Sequence, residues 1–131
     1  MQQNDKDDYQ REEFIDKMTC IYNAFDEFEL RHILTTDFGL TEDEAEDVIK
    51  ECRSKGKACI AIKVIQILLE KLKLKHNIDF ERILQKKRAD SEEEFRKAIE
   101  EILNQIQIKN LRAIIEHLEE VSRENSSTPR P

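Results

Sequence analysis

The sequence predicts an all-α fold, a compact bundle of five to seven helices, on three observations. Glu, Lys, Leu and Ile dominate the composition, and most of these are good helix formers. Only 2 glycines and 2 prolines occur in 131 residues, and both prolines fall within the last three positions. Apolar residues recur at three- and four-residue steps along most of the chain. A chain of this length supports one hydrophobic core, so we expect a single domain.

The start of the chain predicts a flexible leader and a first helix. Residues 1–8 are polar and acidic with no apolar pattern, which is typical of a mobile terminus. We expect the first helix to run from about Tyr9 to Ala24, because apolar residues repeat there with helical spacing. Its broad apolar face consists of Phe14, Ile15, Met18, Ile21, Tyr22 and Phe25.

The next segment predicts a short second helix. Asp26 is a suitable N-cap, and Gly39 supplies a stop because glycine readily takes the left-handed conformation. The apolar residues between them are Phe28, Leu30, Ile33 and Leu34.

A third and a fourth helix form the centre of the predicted bundle. Thr41 and Glu44 have the spacing of a capping box, which starts the third helix. The chain then breaks around Gly56. The fourth helix, expected over about residues 58–74, is apolar on almost every side as far as Leu68, which indicates a central buried helix.

A fifth helix is predicted next. It starts at Asn77 or Asp79, either of which is a good N-cap, and runs to about Lys87. The apolar residues that it buries are Ile78, Phe80, Ile83 and Leu84.

The remaining helical pattern follows Ser91, which opens a helix through a second capping box. Residues 95–106 and 108–118 carry apolar stripes that differ in phase. Residues 91–122 therefore form either two helices or one long helix whose contact face rotates, and two helices are favoured.

These elements define the expected domain organisation. Residues 9–122 form one helical domain, in which residues 9–88 are the core bundle and residues 91–122 add the C-terminal helices. Residues 123–131 contain Ser, Thr, Asn, Pro and Arg but no apolar residue, which predicts a disordered tail.

The sequence contains no constellation typical of an enzyme. His32, His76 and His117 lie in three separate segments, without the local pairing that a metal site needs. No nucleophile lies beside a base, and no cluster of glycines suits a phosphate-binding loop. We therefore expect no catalytic residues, no metal and no cofactor.

The cysteines and the apolar runs bear on the compartment. Cys20, Cys52 and Cys59 are odd in number, lie in or beside apolar patterns and lack the CxxC spacing, which predicts reduced thiols at core or boundary positions. No apolar run approaches the roughly 20 residues that span a bilayer. We expect a soluble, intracellular protein in the cytoplasm.

Charge is segregated along the chain despite a formal net charge of −7. Residues 1–49 carry 4 basic and 15 acidic side chains, residues 50–88 carry 12 and 4, and residues 89–131 carry 6 and 10. A bundle with one acidic and one basic sector has a dipolar surface that steers association. This layout predicts a non-catalytic protein–protein interaction module, an adaptor or scaffold.

Several short motifs between residues 14 and 84 combine helix starts with apolar spacing: Ile33-Leu34, Leu40-Thr41-Glu42-Asp43-Glu44, Val48-Ile49, Lys57-Ala58, Val64-Ile65-Gln66-Ile67-Leu68-Leu69-Glu70-Lys71 and Phe80-Glu81-Arg82-Ile83-Leu84. Through these motifs, residues 14–84 resemble a caspase recruitment domain, a member of the six-helix death-fold group. It implies a death-fold-like bundle to which the residues after Arg88 add an amphipathic helix or a helical hairpin.

The same resemblance implies homotypic binding, in which an acidic surface of one domain docks on a basic surface of the next. Carried over to this chain, the acidic surface consists of Asp43, Glu46 and Asp47. The basic surface consists of Arg53, Lys55, Lys57 and Lys63. The implied partner is another helical domain of the same type or a second copy of the chain.

Two alternatives remain open. Residues 95–121 form a helical oligomerisation module if their apolar stripe exceeds what a small bundle covers. Residues 50–88 bind nucleic acid if their basic side chains share one surface. The candidates for that surface are Lys71, Lys73, Lys75, Lys86, Lys87 and Arg88. Nucleic acid is the less favoured partner, and no membrane partner is expected.

Overall fold

The computed structural model describes residues 2–86 and 91–126, with side chains described for residues 9–85 and 91–124. Within those ranges it contains seven helices and no strand, which confirms the predicted all-α bundle. The helices are α1 (Gln2–Tyr22), α2 (Glu27–Thr36), α3 (Glu42–Glu51), α4 (Lys57–Lys71), α5 (Phe80–Lys86), α6 (Glu92–Leu103) and α7 (Ile108–Ser126).

The two ends of the helical region differ from the predicted boundaries. Helix α1 begins at Gln2 rather than near Tyr9, so residues 2–8 of the predicted leader have helical backbone. Helix α7 continues to Ser126, four residues past the expected end. The rest of the predicted tail, residues 127–131, lies outside the described residues.

The predicted start signals of α2, α3 and α6 are confirmed. Asp26 accepts a hydrogen bond from the Glu29 N–H at 2.8 Å. Thr41 and Glu44 bond each other's backbone N–H groups in a complete capping box. Ser91 caps α6 through the Glu94 N–H. These bonds satisfy backbone donors that have no partner inside the helix.

Helix α4 lies at the centre of the bundle, as predicted. Nine of its side chains, all within residues 58–69, are buried. It packs against α1, α3, α5, α6 and α7. It ends at Lys71, three residues before the predicted end. No helix in the described part of the chain is long and apolar enough to cross a membrane.

The C-terminal region forms two helices, which settles the alternative left open for residues 91–122. Helix α6 ends at Leu103, with Asn104 as its C-cap, and the Gln107 carbonyl accepts the first backbone bonds of α7. Their apolar stripes are buried in the same core as the other helices, and α6 packs against both α1 and α4. The C-terminal helices therefore complete the core bundle instead of lying outside it.

The prediction of reduced thiols is wrong for two of the three cysteines. Cys52 and Cys59 form a disulfide with a Cα–Cα distance of 5.7 Å. The turn at Gly56, whose φ of 94° favours glycine, brings the end of α3 back against the first turn of α4. Cys20 is free but exposed. Because disulfides are typical of oxidising compartments, the cytoplasmic location stays a prediction.

Candidate interaction surface

The predicted acidic surface lies on α3, but one of its three carboxylates is already paired. Arg31 Nη2 donates to both carboxylate oxygens of Glu46, at 2.9 and 3.0 Å, and so links α2 to α3. Asp43 and Asp47 are exposed one helical turn apart, with no ion pair to any described residue. The acidic surface that remains available consists of these two aspartates.

Asp47 also lines a groove of about 240 Å³ between α3 and α4. The other charged side chains along it are Glu44, Glu51, Lys63 and Glu70. Burial alone would raise the pKa of Glu44, but hydrogen bonds from Lys71 and from the Thr41 backbone hold that pKa below its ordinary value. The groove is therefore lined by four carboxyl groups and one ammonium.

The predicted basic surface is largely used inside the molecule. Arg53 donates from Nε and Nη2 to the two carboxylate oxygens of Glu27, both at 2.9 Å. Lys63 Nζ lies 2.7 Å from Glu51 Oε1. Only Lys55 is exposed without an ion pair to a described residue.

Lys57 has a structural role that the sequence did not indicate. Its Nζ donates to the backbone carbonyls of Ile21, Tyr22 and Ala24 at 3.4, 3.2 and 3.3 Å. These groups are at and just beyond the C-terminal end of α1, where carbonyls lack helical partners and the macrodipole favours a cation. Burial lowers the pKa of Lys57. Lys57 thus caps α1 from the first turn of α4 and does not form part of an exposed basic surface.

Two aromatic side chains at the connection between α1 and α2 are exposed. Phe25 is 89% exposed and Phe28 is 78% exposed. The prediction that Phe25 belongs to the apolar face of α1 is wrong, because α1 ends at Tyr22 and Phe25 lies in the following connection. We call Phe25 and Phe28, with the flanking Asp26, Glu27 and Glu29, the aromatic corner.

The backbone of the aromatic corner is held in place. The Phe25 N–H donates to Glu29 Oε1, and the preceding carbonyl, of Ala24, accepts from Lys57. Phe25 directly precedes Asp26, the N-cap of α2. An apolar residue at this position often packs against the fourth residue of the helix. That residue is Leu30, which is buried, whereas Phe25 remains in solvent. The two rings are therefore exposed on a fixed support.

A second groove, of about 360 Å³, lies between α1 and α7. Its apolar lining consists of Phe14, Ile115 and Leu118, and two acidic and two basic residues share its rim. One of the bases, Lys17, already donates to Ser122 Oγ at 3.3 Å. The balanced charge of this rim selects no class of ligand.

The described residues contain no group of three or more His, Cys, Asp or Glu side chains arranged to hold a metal ion. The features that distinguish the surface described so far are the aromatic corner and the acidic residues of α3. Comparisons with models of known protein families, with curated proteins and with solved structures find no match.

Proposed function

We propose that this chain is a non-catalytic protein-interaction module that docks a partner on its aromatic corner. The observation that carries the proposal is the exposure of Phe25 and Phe28 on a fixed backbone. Burying one such ring is worth roughly 1.5–3 kcal/mol, and aromatic anchors of this kind dominate binding energy at protein interfaces. Because hydrogen bonds already hold the backbone of the corner, binding requires little further loss of backbone entropy there.

The charges around the corner specify the chemistry of the partner. Glu27 is neutralised by Arg53, while Asp26 and Glu29 leave the rim acidic. The fitting partner therefore has an apolar pocket with basic groups at its edge. Asp43 and Asp47 lie on α3, which packs against α2, and add to the same negative field.

The finer form of the proposal is homotypic association, as the resemblance to caspase recruitment domains implies. A second copy of the chain is then the partner. Sedimentation velocity at increasing protein concentration measures this directly, and the homotypic form predicts oligomers that dissociate as NaCl is raised. A monomer at every concentration excludes the homotypic form and leaves binding to a different protein open.

The test of the aromatic corner is an affinity capture with matched variants. Three proteins are immobilised at equal density and incubated with the same cell extract. They are the wild-type chain, a Phe25→Ser/Phe28→Ser double variant and a Tyr9→Ser control. Tyr9 is 70% exposed but lies on α1, away from the corner. We expect the wild type and the Tyr9 control to capture the same proteins and the double variant to lose them. Equal capture by all three excludes the aromatic corner as the docking site.

The two alternative functions find less support. Oligomerisation through residues 95–121 needs an uncovered apolar stripe, but the large apolar residues of α6 and α7 pack into the chain's own core. A continuous nucleic-acid surface over residues 50–88 is interrupted, since Lys57, Lys63 and Lys71 bond within the molecule. Among the other basic residues predicted for the nucleic-acid surface, the side chains at positions 86–88 lie outside the described residues.

A further inference from the structure

A pocket of about 460 Å³ lies between the connection that follows α4 and the first turn of α7. Its lining residues are Lys73, Leu74, Lys75, Gln107, Lys109 and Asn110. Three of these are lysines and none is acidic, although acidic residues outnumber basic ones by 29 to 22 in the chain. We propose that this lysine pocket binds a small ligand carrying several phosphate charges.

The sequence around the end of α4 directs lysines into the pocket. Leu72 and Leu74 are half-buried against the core, and they alternate with lysines that remain exposed. Lys71 is drawn away from the pocket, because its Nζ bonds the Gly39 carbonyl at 2.9 Å and Glu44 Oε1 at 2.8 Å. Lys73 and Lys75 have no such ion pair among the described residues, so their charges are available to a ligand.

Lys73 occupies a backbone position that suits glycine better. Its φ is 56°, and it is the only non-glycine residue with a positive φ in the described part of the chain. The Lys73 and Leu74 N–H groups bond the Glu70 and Leu69 carbonyls, at 3.1 and 2.9 Å, in the pattern that closes many helices around a glycine. A lysine here is strained, and a ligand that uses its ammonium group accounts for the lysine.

The opposite wall of the pocket is fixed by Asn110. Its side chain is buried, 5% exposed, and its Nδ2 donates to the Lys75 carbonyl at 2.8 Å. This bond ties the connection after α4 to the first turn of α7, so Lys75 and Lys109 are held at the same pocket. The backbone segments that carry these lysines are therefore joined before any ligand arrives, which lowers the entropic cost of assembling the site.

The chemistry of the lining selects phosphate. Lysine binds phosphate as a compact point charge, and three lysines match the charge of a di- or triphosphate group. The volume lies within the range of small-molecule pockets. The three lysines recognise only the charged group, so inorganic tripolyphosphate and the triphosphate of a nucleotide present the same chemistry.

The test is isothermal titration calorimetry of the full chain with tripolyphosphate at low ionic strength. The pocket variant is Lys73→Ala/Lys75→Ala/Lys109→Ala. The matched control, Lys50→Ala/Lys55→Ala/Lys97→Ala, removes the same charge from exposed lysines elsewhere. Each contact is an exposed charge pair that contributes up to about fivefold to affinity, so we expect affinity to fall about tenfold or more in the pocket variant. The control should stay within about twofold of the wild type.

Two results overturn the proposal. The first is equal weakening in the two triple variants, because overall charge then explains the binding. The second is an absence of tripolyphosphate binding to the wild type. Titrations with ATP and with adenosine separate the sources of phosphate. A nucleotide site binds ATP more tightly than tripolyphosphate, whereas a site for free polyphosphate does not. Adenosine should not bind in either case, and tight adenosine binding contradicts recognition through phosphate.

A single substitution provides a second, independent readout. Lys73→Gly removes one ammonium group and also relieves the positive φ. We therefore expect it to raise the melting temperature while weakening tripolyphosphate binding by up to about fivefold. A Lys73→Gly variant that binds as tightly as the wild type excludes Lys73 from the site.

Discussion

The aromatic corner and the turn between α3 and α4 meet at Lys57, but they use their residues in opposite ways. At the turn, the apolar residues and the disulfide are buried, and Arg53 and Lys63 are paired with carboxylates. At the corner, hydrogen bonds fix the backbone while two phenylalanines remain in solvent. A high density of charge in the sequence therefore does not identify a free surface, because many of the charges pair with each other within the bundle.

The turn should lose most stability when its disulfide is removed. Cys52 and Cys59 are seven residues apart, and closing a loop of that size stabilises a folded chain by roughly 2–3 kcal/mol in the chain-entropy treatment. Denaturant unfolding of the oxidised protein, compared with Cys52→Ala/Cys59→Ala, should show this loss of unfolding free energy. Cys20→Ala, at an exposed free cysteine, should remain within about 0.5 kcal/mol of the wild type.

Equal unfolding free energies for the oxidised protein and the Cys52/Cys59 double variant would show that buried apolar contacts alone hold the turn. The difference between the two regions would then lie in hydrophobic burial rather than in covalent closure.

Replacing Lys57, which connects the two regions, should cost less stability than removing the disulfide. Lys57→Met keeps the apolar stem but leaves the carbonyls at the end of α1 without their donor, which should cost about 1–2 kcal/mol. Lys55→Met, at an exposed lysine two residues earlier, should cost less than about 0.5 kcal/mol. Thermal unfolding of the two variants measures the difference. If Lys57→Met is as stable as Lys55→Met, solvent caps α1 equally well and the corner does not depend on α4.

The stability that Glu44 contributes at the start of α3 should depend on pH. The pKa of Glu44 is lowered in the folded protein, so the charged form contributes stability above the ordinary glutamate pKa of 4.5, and this contribution is lost as the pH falls through the lower, folded pKa. Glu44→Gln retains a capping amide but removes the charge that pairs with Lys71. It should cost about 0.5 kcal/mol at pH 7, and the difference from wild type should vanish at strongly acidic pH.

Denaturant unfolding of wild type and Glu44→Gln at pH 7 and again well below pH 4 measures this difference. A constant difference across that range would mean that the Glu44 carboxylate owes its effect to packing, and not to its charge.

Local signals in the sequence were sufficient for most of the fold. The capping residues Thr41 and Ser91 start helices as predicted, and the change of apolar phase near residue 107 marks the break between α6 and α7. Such signals depend on residues three or four apart in the chain, and their physical cause is local.

The candidate sites depend on contacts that the local sequence does not contain. Phe25 has the correct spacing for the apolar face of α1, but α1 ends before it. Lys57, more than 30 positions away in the chain, caps the carbonyls at the end of that helix. The Cys52–Cys59 pair likewise requires the backbone geometry of the Gly56 turn. The alternation of Lys and Leu after Glu70 was visible, but its convergence with Lys109 required the folded α7.

Substitutions of the two phenylalanines at the aromatic corner itself should change stability least. Phe25 and Phe28 contribute little buried area, so Phe25→Ser/Phe28→Ser should change the unfolding free energy by less than about 0.5 kcal/mol per site. Leu30→Ala, on the same helix but buried, should cost about 2–5 kcal/mol. Denaturant unfolding compares the three proteins directly. A large loss in the double variant would mean that the rings support the fold, whereas an unchanged stability leaves contact with a partner as the reason for two exposed phenylalanines.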